Sequence, residues 1–166
     1  MSYTTIKAVY PGVGAEDLEE LGNSHGSAPV VWTALGEKYL GLTGARAMFS
    51  DLLWTIHKLP NIPSHHRMMM MMTYDNAIVM KKDYPQAAKD IRAFLEDFPL
   101  KDGWVNHWPR IAEIFESDPE CPSIGFHMTS VGEDPFQGDW NEEMEDYDSP
   151  HWEKYWSVYD EPGGEL

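Results

Sequence analysis

Arg67-Met68-Met69-Met70-Met71-Met72-Thr73-Tyr74-Asp75-Asn76-Ala77-Ile78-Val79-Met80 is the stretch on which the fold class of this chain turns. Ala77-Ile78-Val79 is a short apolar run with β-branched members. Asp75-Asn76 ahead of it tolerates the left-handed backbone of a tight turn. Together they predict a β-hairpin, with strands near 67–73 and 77–82 turning at Asp75-Asn76. Methionine is a weak strand former, which keeps a helical alternative open for the five-methionine run. As strand or core filler, that run asks for no copper or heme.

Toward the N-terminus, Thr4 to Tyr10 mixes β-branched and aromatic residues and stops at Pro11-Gly12, a strand near 4–10. Residues 13–26 read as loop with a short acidic helix at Glu16–Leu21. Ser27 is placed to cap a helix, with Pro29 in its first turn; Ala28, Val31, Trp32, Leu35 and Tyr39 recur at helical spacing until Gly41. A second helix carries Ala45, Met48, Phe49, Leu52, Leu53, Ile56 and Leu59 on one stripe, and Pro60 and Pro63 end it. Toward the C-terminus, Asp83 caps a helix whose stripe runs from Tyr84 to Phe98, and Asn106 caps another holding Ile111, Ile114 and Phe115. A last strand is expected near 123–131. The fold class is therefore α+β: one domain over 1–166, a small antiparallel sheet packed with four to five helices.

Composition agrees with a folded domain, since 42% of the 166 residues are apolar and 13% aromatic. Cys121 is the single cysteine, which excludes an internal disulfide and fits a reducing compartment. The N-terminus lacks a basic segment followed by an apolar run, and Met68–Met72 falls far short of the ~20 residues that span a bilayer. The expected location is cytoplasmic, away from membranes, and the host cytoplasm if the chain is phage-encoded.

Charge is unevenly placed. Residues 1–110 hold 12 acidic and 11 basic side chains, whereas residues 111–166 hold 16 acidic ones and a single base, Lys154. That end repels nucleic acid and anionic lipid and attracts cationic surfaces. An acidic, aromatic-rich segment spans 133–161, and eight carboxylates with no base lie within 133–148. Asp139, Glu142, Glu143 and Asp146 recur at i, i+3, i+4, i+7 and would share one helical face, with Trp140, Met144 and Tyr147 on another docked to the core. Six acids over 139–148 on a helix amount to one charge per ~2.5 Å of axis. Duplex DNA presents one per ~1.7 Å, a comparable density. Asp139-Trp140-Asn141-Glu142-Glu143-Met144 lacks the sixth-position glycine of an EF-hand loop, so no calcium site is expected. Trp152, Tyr155, Trp156 and Tyr159 repeat the same spacing, a short aromatic helix that self-associates if exposed.

Seven histidines raise a catalytic alternative. His25-Gly26-Ser27 and His127-Met128-Thr129 both match the His-x-Ser/Thr element that two-histidine phosphoesterases use twice, with His127, Thr129 and His25 as its candidates. Seven histidines yield about 0.7 such matches by chance at this hydroxyl content. There is no His-Glu-x-x-His, no Walker loop and no Cys/His cluster with zinc spacing, so neither a metal nor another cofactor is expected. The leading expectation is a non-enzymatic acidic interaction protein that binds a basic protein surface through Asp139, Glu142, Glu143, Asp146, Trp152 and Trp156. In its strongest form it is a nucleic-acid mimic inhibiting a DNA- or RNA-handling complex, as small phage-borne anti-defence proteins do. The alternatives are a small histidine-dependent hydrolase and an assembly subunit that forms a homo-oligomer through the aromatic helix.

Overall fold

Pro11-Gly12 bends the chain back on itself, and the computed structural model, which describes residues 1–160, shows a β-hairpin there. β1 (Tyr3–Tyr10) pairs antiparallel with β2 (Gly14–Gly22). The acidic helix expected at Glu16–Leu21 is thus a strand. Val13 donates its backbone N–H to the carbonyl of Tyr10, and Gly12 takes the positive φ of +79° that the turn requires.

α1 (Ala28–Leu40) forms as expected and ends on Gly41 at φ +66°. Ser27 does not cap it: its hydroxyl accepts instead from Thr4 Oγ1 at 2.7 Å, tying the helix start to β1. The second helix is broken. α2 (Ala45–Met48) stops after one turn, Ser50 caps Leu52 N–H, and a 3-10 helix covers Asp51–Lys58. Leu53 and Ile56 turn inward from that segment, whereas Phe49 and Leu52 face solvent.

The methionine run corrects the expected strand at 67–73. Ser64–Met72 is a helix, α3, and Asp75-Asn76 joins it to β3 (Ala77–Met80) rather than turning a hairpin. All five methionines are buried. A helix wrapped by protein on every side shows no amphipathic period. Methionine has good helix propensity and enough torsional freedom to fill gaps in any direction. α4 (Tyr84–Asp97) and α5 (Trp108–Glu116) lie where the sequence places them. The carboxylate of Asp83 makes no capping bond, but the side-chain amide oxygen of Asn106 accepts from Trp108 N–H at 3.0 Å, as expected. β4 covers Ser123–His127, shorter than the predicted 123–131.

Residues 128–160 depart most from expectation. The acidic stretch is a two-stranded hairpin, β5 (Trp140–Asn141) with β6 (Asp146–Tyr147), not a helix. The aromatic stripe is a 3-10 turn over Trp152–Lys154 followed by β7 (Trp156–Ser157). β7 pairs parallel with β3, so the main sheet, of order β2-β1-β4-β3-β7, is mixed rather than antiparallel throughout. The single α+β domain is otherwise as predicted, with five helices of eight residues or more counting the 3-10 segment. Residue 161, the end of the acidic aromatic-rich segment, and 162–166 lie outside the described residues.

Strand alternation gives the sheet two faces. Ile6, Ala8, Val79, Ile124 and Phe126 point to the helices and share the main core with Trp108, Phe115 and the methionines. Val9 and Ile78 point the other way and pack on Phe136, Trp152 and Tyr155, which the acidic segment supplies. Among the described residues no helix is long and apolar enough to cross a membrane.

Candidate functional site

The second face of the sheet is where the charged end of the chain is held. Phe136 is buried over Gly125 in the middle strand, where a methyl group on Gly125 would overlap the ring. Its ring stacks on Tyr155 at 5.4 Å and 28°, and the Tyr155 hydroxyl donates to the carbonyl of Pro135. Lys7 completes the anchor from β1, reaching Asp17 at 2.7 Å and Asp134 at 3.0 Å. Burial acts to lower the Lys7 pKa, but the hydrogen bonds and charges of Asp17 and Asp134 outweigh it and raise it above its ordinary value.

Beyond this anchor the hairpin projects. Gly138 N–H donates to the Asp148 carbonyl and Asp148 N–H to that of Asp139, extending the two-residue ladder. A side chain at Gly138 would collide with the carbonyls of Asp148 and Ser149, so only glycine lets the two chains approach this closely. Asn141 Oδ1 accepts from the N–H groups of Glu143 and Met144, and its Nδ2 donates to Asp148. Trp140 and Tyr147 meet edge to face across the strands at 5.1 Å. These local bonds explain why the helix does not form. Asn141 offers the backbone a turn, and the hairpin splays like charges that a helix would hold at i, i+3 and i+4.

The predicted partner-binding residues therefore separate. Asp139, Glu142, Glu143 and Asp146 are all exposed on the hairpin. Trp140, Met144 and Tyr147, expected to dock on the core, are exposed beside them. Trp152 and Trp156 are half-buried instead. Trp152 packs against Tyr155 at 5.2 Å, and Trp156 sits in β7 facing Tyr74 at 6.0 Å. The aromatic stripe is thus partly taken up by contacts within the fold.

Between the hairpin base and β1–β2 runs a groove of about 700 Å³. Asp17, Glu20, Glu133, Asp134 and Asp139 line it against Lys7 and His127, with Tyr3, Trp140 and Tyr147 as aromatic walls. Sequence reasoning missed Asp17 and Glu20, because residues 14–22 show no clean period and only the Pro11-Gly12 turn signals a returning strand. Among the described residues, Glu133, Glu142, Glu143, Glu145, Asp146 and Asp148 have no lysine or arginine partner, and Asp139 meets only His151, at 3.5 Å. Some acids of the body are paired: Arg110 holds Glu19 at 2.7 Å, Arg92 holds Glu116 at 2.6 Å, and Lys81 holds Asp118 at 2.9 Å, whereas others, such as Glu37, Asp51 and Glu96, stand unpaired among the described residues as the hairpin acids do. In the second groove, between α4 and α5, Lys81 and Arg92 are therefore already paired, as is Lys82 with Asp160 at 2.7 Å.

The histidine candidates do not assemble. The loops bearing the two His-x-Ser/Thr elements touch, since Ser24 and Thr129 share a hydrogen bond of 3.2 Å. But His127 Nε2 donates to the Gly132 carbonyl at 3.1 Å, and His25 faces solvent. No second histidine lines the groove that holds His127. His65 and His66 converge instead on Asp97, a cluster that a scan for zinc spacing does not see.

No protein-family model, curated protein or solved structure matches this chain.

Proposed function

We propose that the chain is a non-catalytic interaction protein whose acidic hairpin and adjoining groove receive a lysine- and arginine-rich protein surface. The observation that carries this reading is the exposure of six carboxylates with no lysine or arginine partner among the described residues, set beside exposed Trp140, Met144 and Tyr147. Unpaired charge of one sign steers a partner of the other, and aromatic residues amid that charge supply the apolar contact an interface core needs. Nucleic-acid-binding proteins are one class that displays such basic surfaces. The regular charge spacing of a helix is absent, so support for the mimicry form of the proposal reduces to net charge and its exposure.

The test compares two triple variants that shift net charge equally. Glu142→Gln/Glu143→Gln/Asp146→Asn alters the hairpin, while Glu37→Gln/Asp51→Asn/Glu96→Gln alters exposed acids elsewhere. Against a partner recovered by cross-linking, the hairpin variant binds about tenfold more weakly at low salt, and the difference shrinks as salt rises. Equal binding by both variants would exclude the hairpin as the contact.

A further inference from the structure

Neighbouring residues on a helix point about 100° apart, so adjacent histidines seldom serve one site. At the start of α3 they do. His65 Nε2 lies 2.6 Å and His66 Nε2 lies 2.7 Å from the same oxygen, Asp97 Oδ2 at the end of α4, with the two rings 4.5 Å apart. The three donor atoms all fall within 4.8 Å of one another. Behind them the hydroxyl of Tyr39, from α1, stands 2.6 Å from His66 Nδ1. Phe98 closes the other side of His66 at 5.3 Å.

We propose that His65, His66 and Asp97 bind one divalent transition-metal ion of the zinc type, with Tyr39 as the residue that orients His66. Two imidazole nitrogens and one carboxylate oxygen make a borderline donor set that suits zinc, nickel or cobalt. A single carboxylate is too few for calcium, which takes six to eight oxygens. Ligand bonds of about 2.0–2.2 Å around a tetrahedral ion place donor atoms roughly 3.3 Å apart. Asp97 would therefore withdraw by about 0.6 Å to admit it. It has the freedom to do so, being the last residue of its helix with its side chain 44% exposed, while His66 at 2% is fixed.

Tyr39 gives the strongest support. With the site empty, His66 Nε2–H donates to Asp97, and Nδ1 must accept from the tyrosine O–H. With an ion bound, Nε2 offers its lone pair to the metal, and Nδ1–H donates to the tyrosine oxygen. A hydroxyl serves both tautomers by rotating, and a metal-bound histidine nearly always donates its remote N–H to such an oxygen. Three protein ligands leave at least one position for water, on the side where Asp97 meets solvent. The site uses none of the residues of the acidic groove and stands independently of it.

The test is calorimetric titration of zinc chloride into the untagged, chelator-treated chain, with cobalt(II) absorption in the visible as a second readout. The wild type binds one ion, and cobalt gives the intense ligand-field bands of a four-coordinate site. His65→Ala and Asp97→Asn, both at accessible positions, weaken binding tenfold or more, and Tyr39→Phe weakens it by about tenfold while keeping the cobalt bands. His25→Ala and His151→Ala change nothing. Absence of saturable binding overturns the proposal. So does a His65→Ala or Asp97→Asn variant that binds as the wild type does, or a loss that follows His151→Ala instead.

Discussion

Replacing Gly125 by alanine tests whether Phe136 is what fastens the acidic segment to the sheet. The added methyl would overlap Cζ of the ring and stand 3.0 Å from Cε1 and Cε2, whereas carbon atoms rest at about 3.5–4.0 Å. The ring must retreat by roughly 1 Å and surrender its stack on Tyr155. Overpacking of this kind costs about 1–3 kcal/mol, and the upper half applies because the ring has Tyr155 behind it. Removing the ring by Phe136→Ala costs about 3 kcal/mol through lost burial. In that background Gly125→Ala no longer meets an obstacle and regains about 0.5–1 kcal/mol of strand propensity. The two substitutions are thus coupled by about 3 kcal/mol, where independent sites add to within about 0.5. Urea denaturation of the wild type, both single variants and the double variant measures the cycle, with the slope checked for constancy. For a chain of this size Gly125→Ala alone lowers Tm by roughly 4–12 °C. Additive losses around the cycle would refute the anchoring role assigned to Phe136.

Two other outcomes follow from buried polar groups. Tyr159 donates its hydroxyl to Asp90 Oδ2 at 2.6 Å in a buried setting, while Gln86 Nε2 serves the other oxygen at 3.0 Å. Tyr159→Phe strips that oxygen of its donor and destabilises by about 1.5–3 kcal/mol in denaturant melts, and a loss below about 0.5 would contradict the assignment. His57 is buried against Tyr74, and burial first, then the charges of Lys58 and Arg67, holds its pKa below the ordinary value of 6.5. The unfolded chain gains a proton near that value while the folded chain resists it. The contribution of neutral His57 is therefore complete above about pH 6.5 and is lost as pH falls below it. His57→Gln should flatten this decline, measured as the wild-type-minus-variant stability between about pH 7.5 and 5.5; a pH-independent difference would exclude His57 as its source.

Legibility tracked the distance over which each element is decided. Gly41 and Pro99, with Pro29 and Pro85 early in their helices, mark boundaries through the backbone of their immediate neighbours. Those helices lie where they were expected. The acidic stretch misled because Asp139, Glu142, Glu143 and Asp146 satisfy a helical period that Asn141 undoes by bonding the N–H groups of Glu143 and Met144. The aromatic stripe misled for a different reason. Trp156 is spaced like a helix residue but gains more from strand contact with β3 and a ring contact with Tyr74. In the candidate site, the exposure of the hairpin acids was legible from their density, whereas Asp17 and Glu20 joined the groove only when β2 folded back on β1.

By itself the sequence determined a single α+β domain, the helices α1, α4 and α5, strands near 4–10 and 77–82, and a charge asymmetry that no fold can remove. Tertiary structure alone decided that the methionine run is a helix, because a segment buried on all sides has no solvent-facing side to set a period. It also decided that β7 joins the sheet in parallel and that His65, His66 and Asp97 meet. Residues more than thirty positions apart come together only through the packing of the elements that carry them, and no local propensity records that packing.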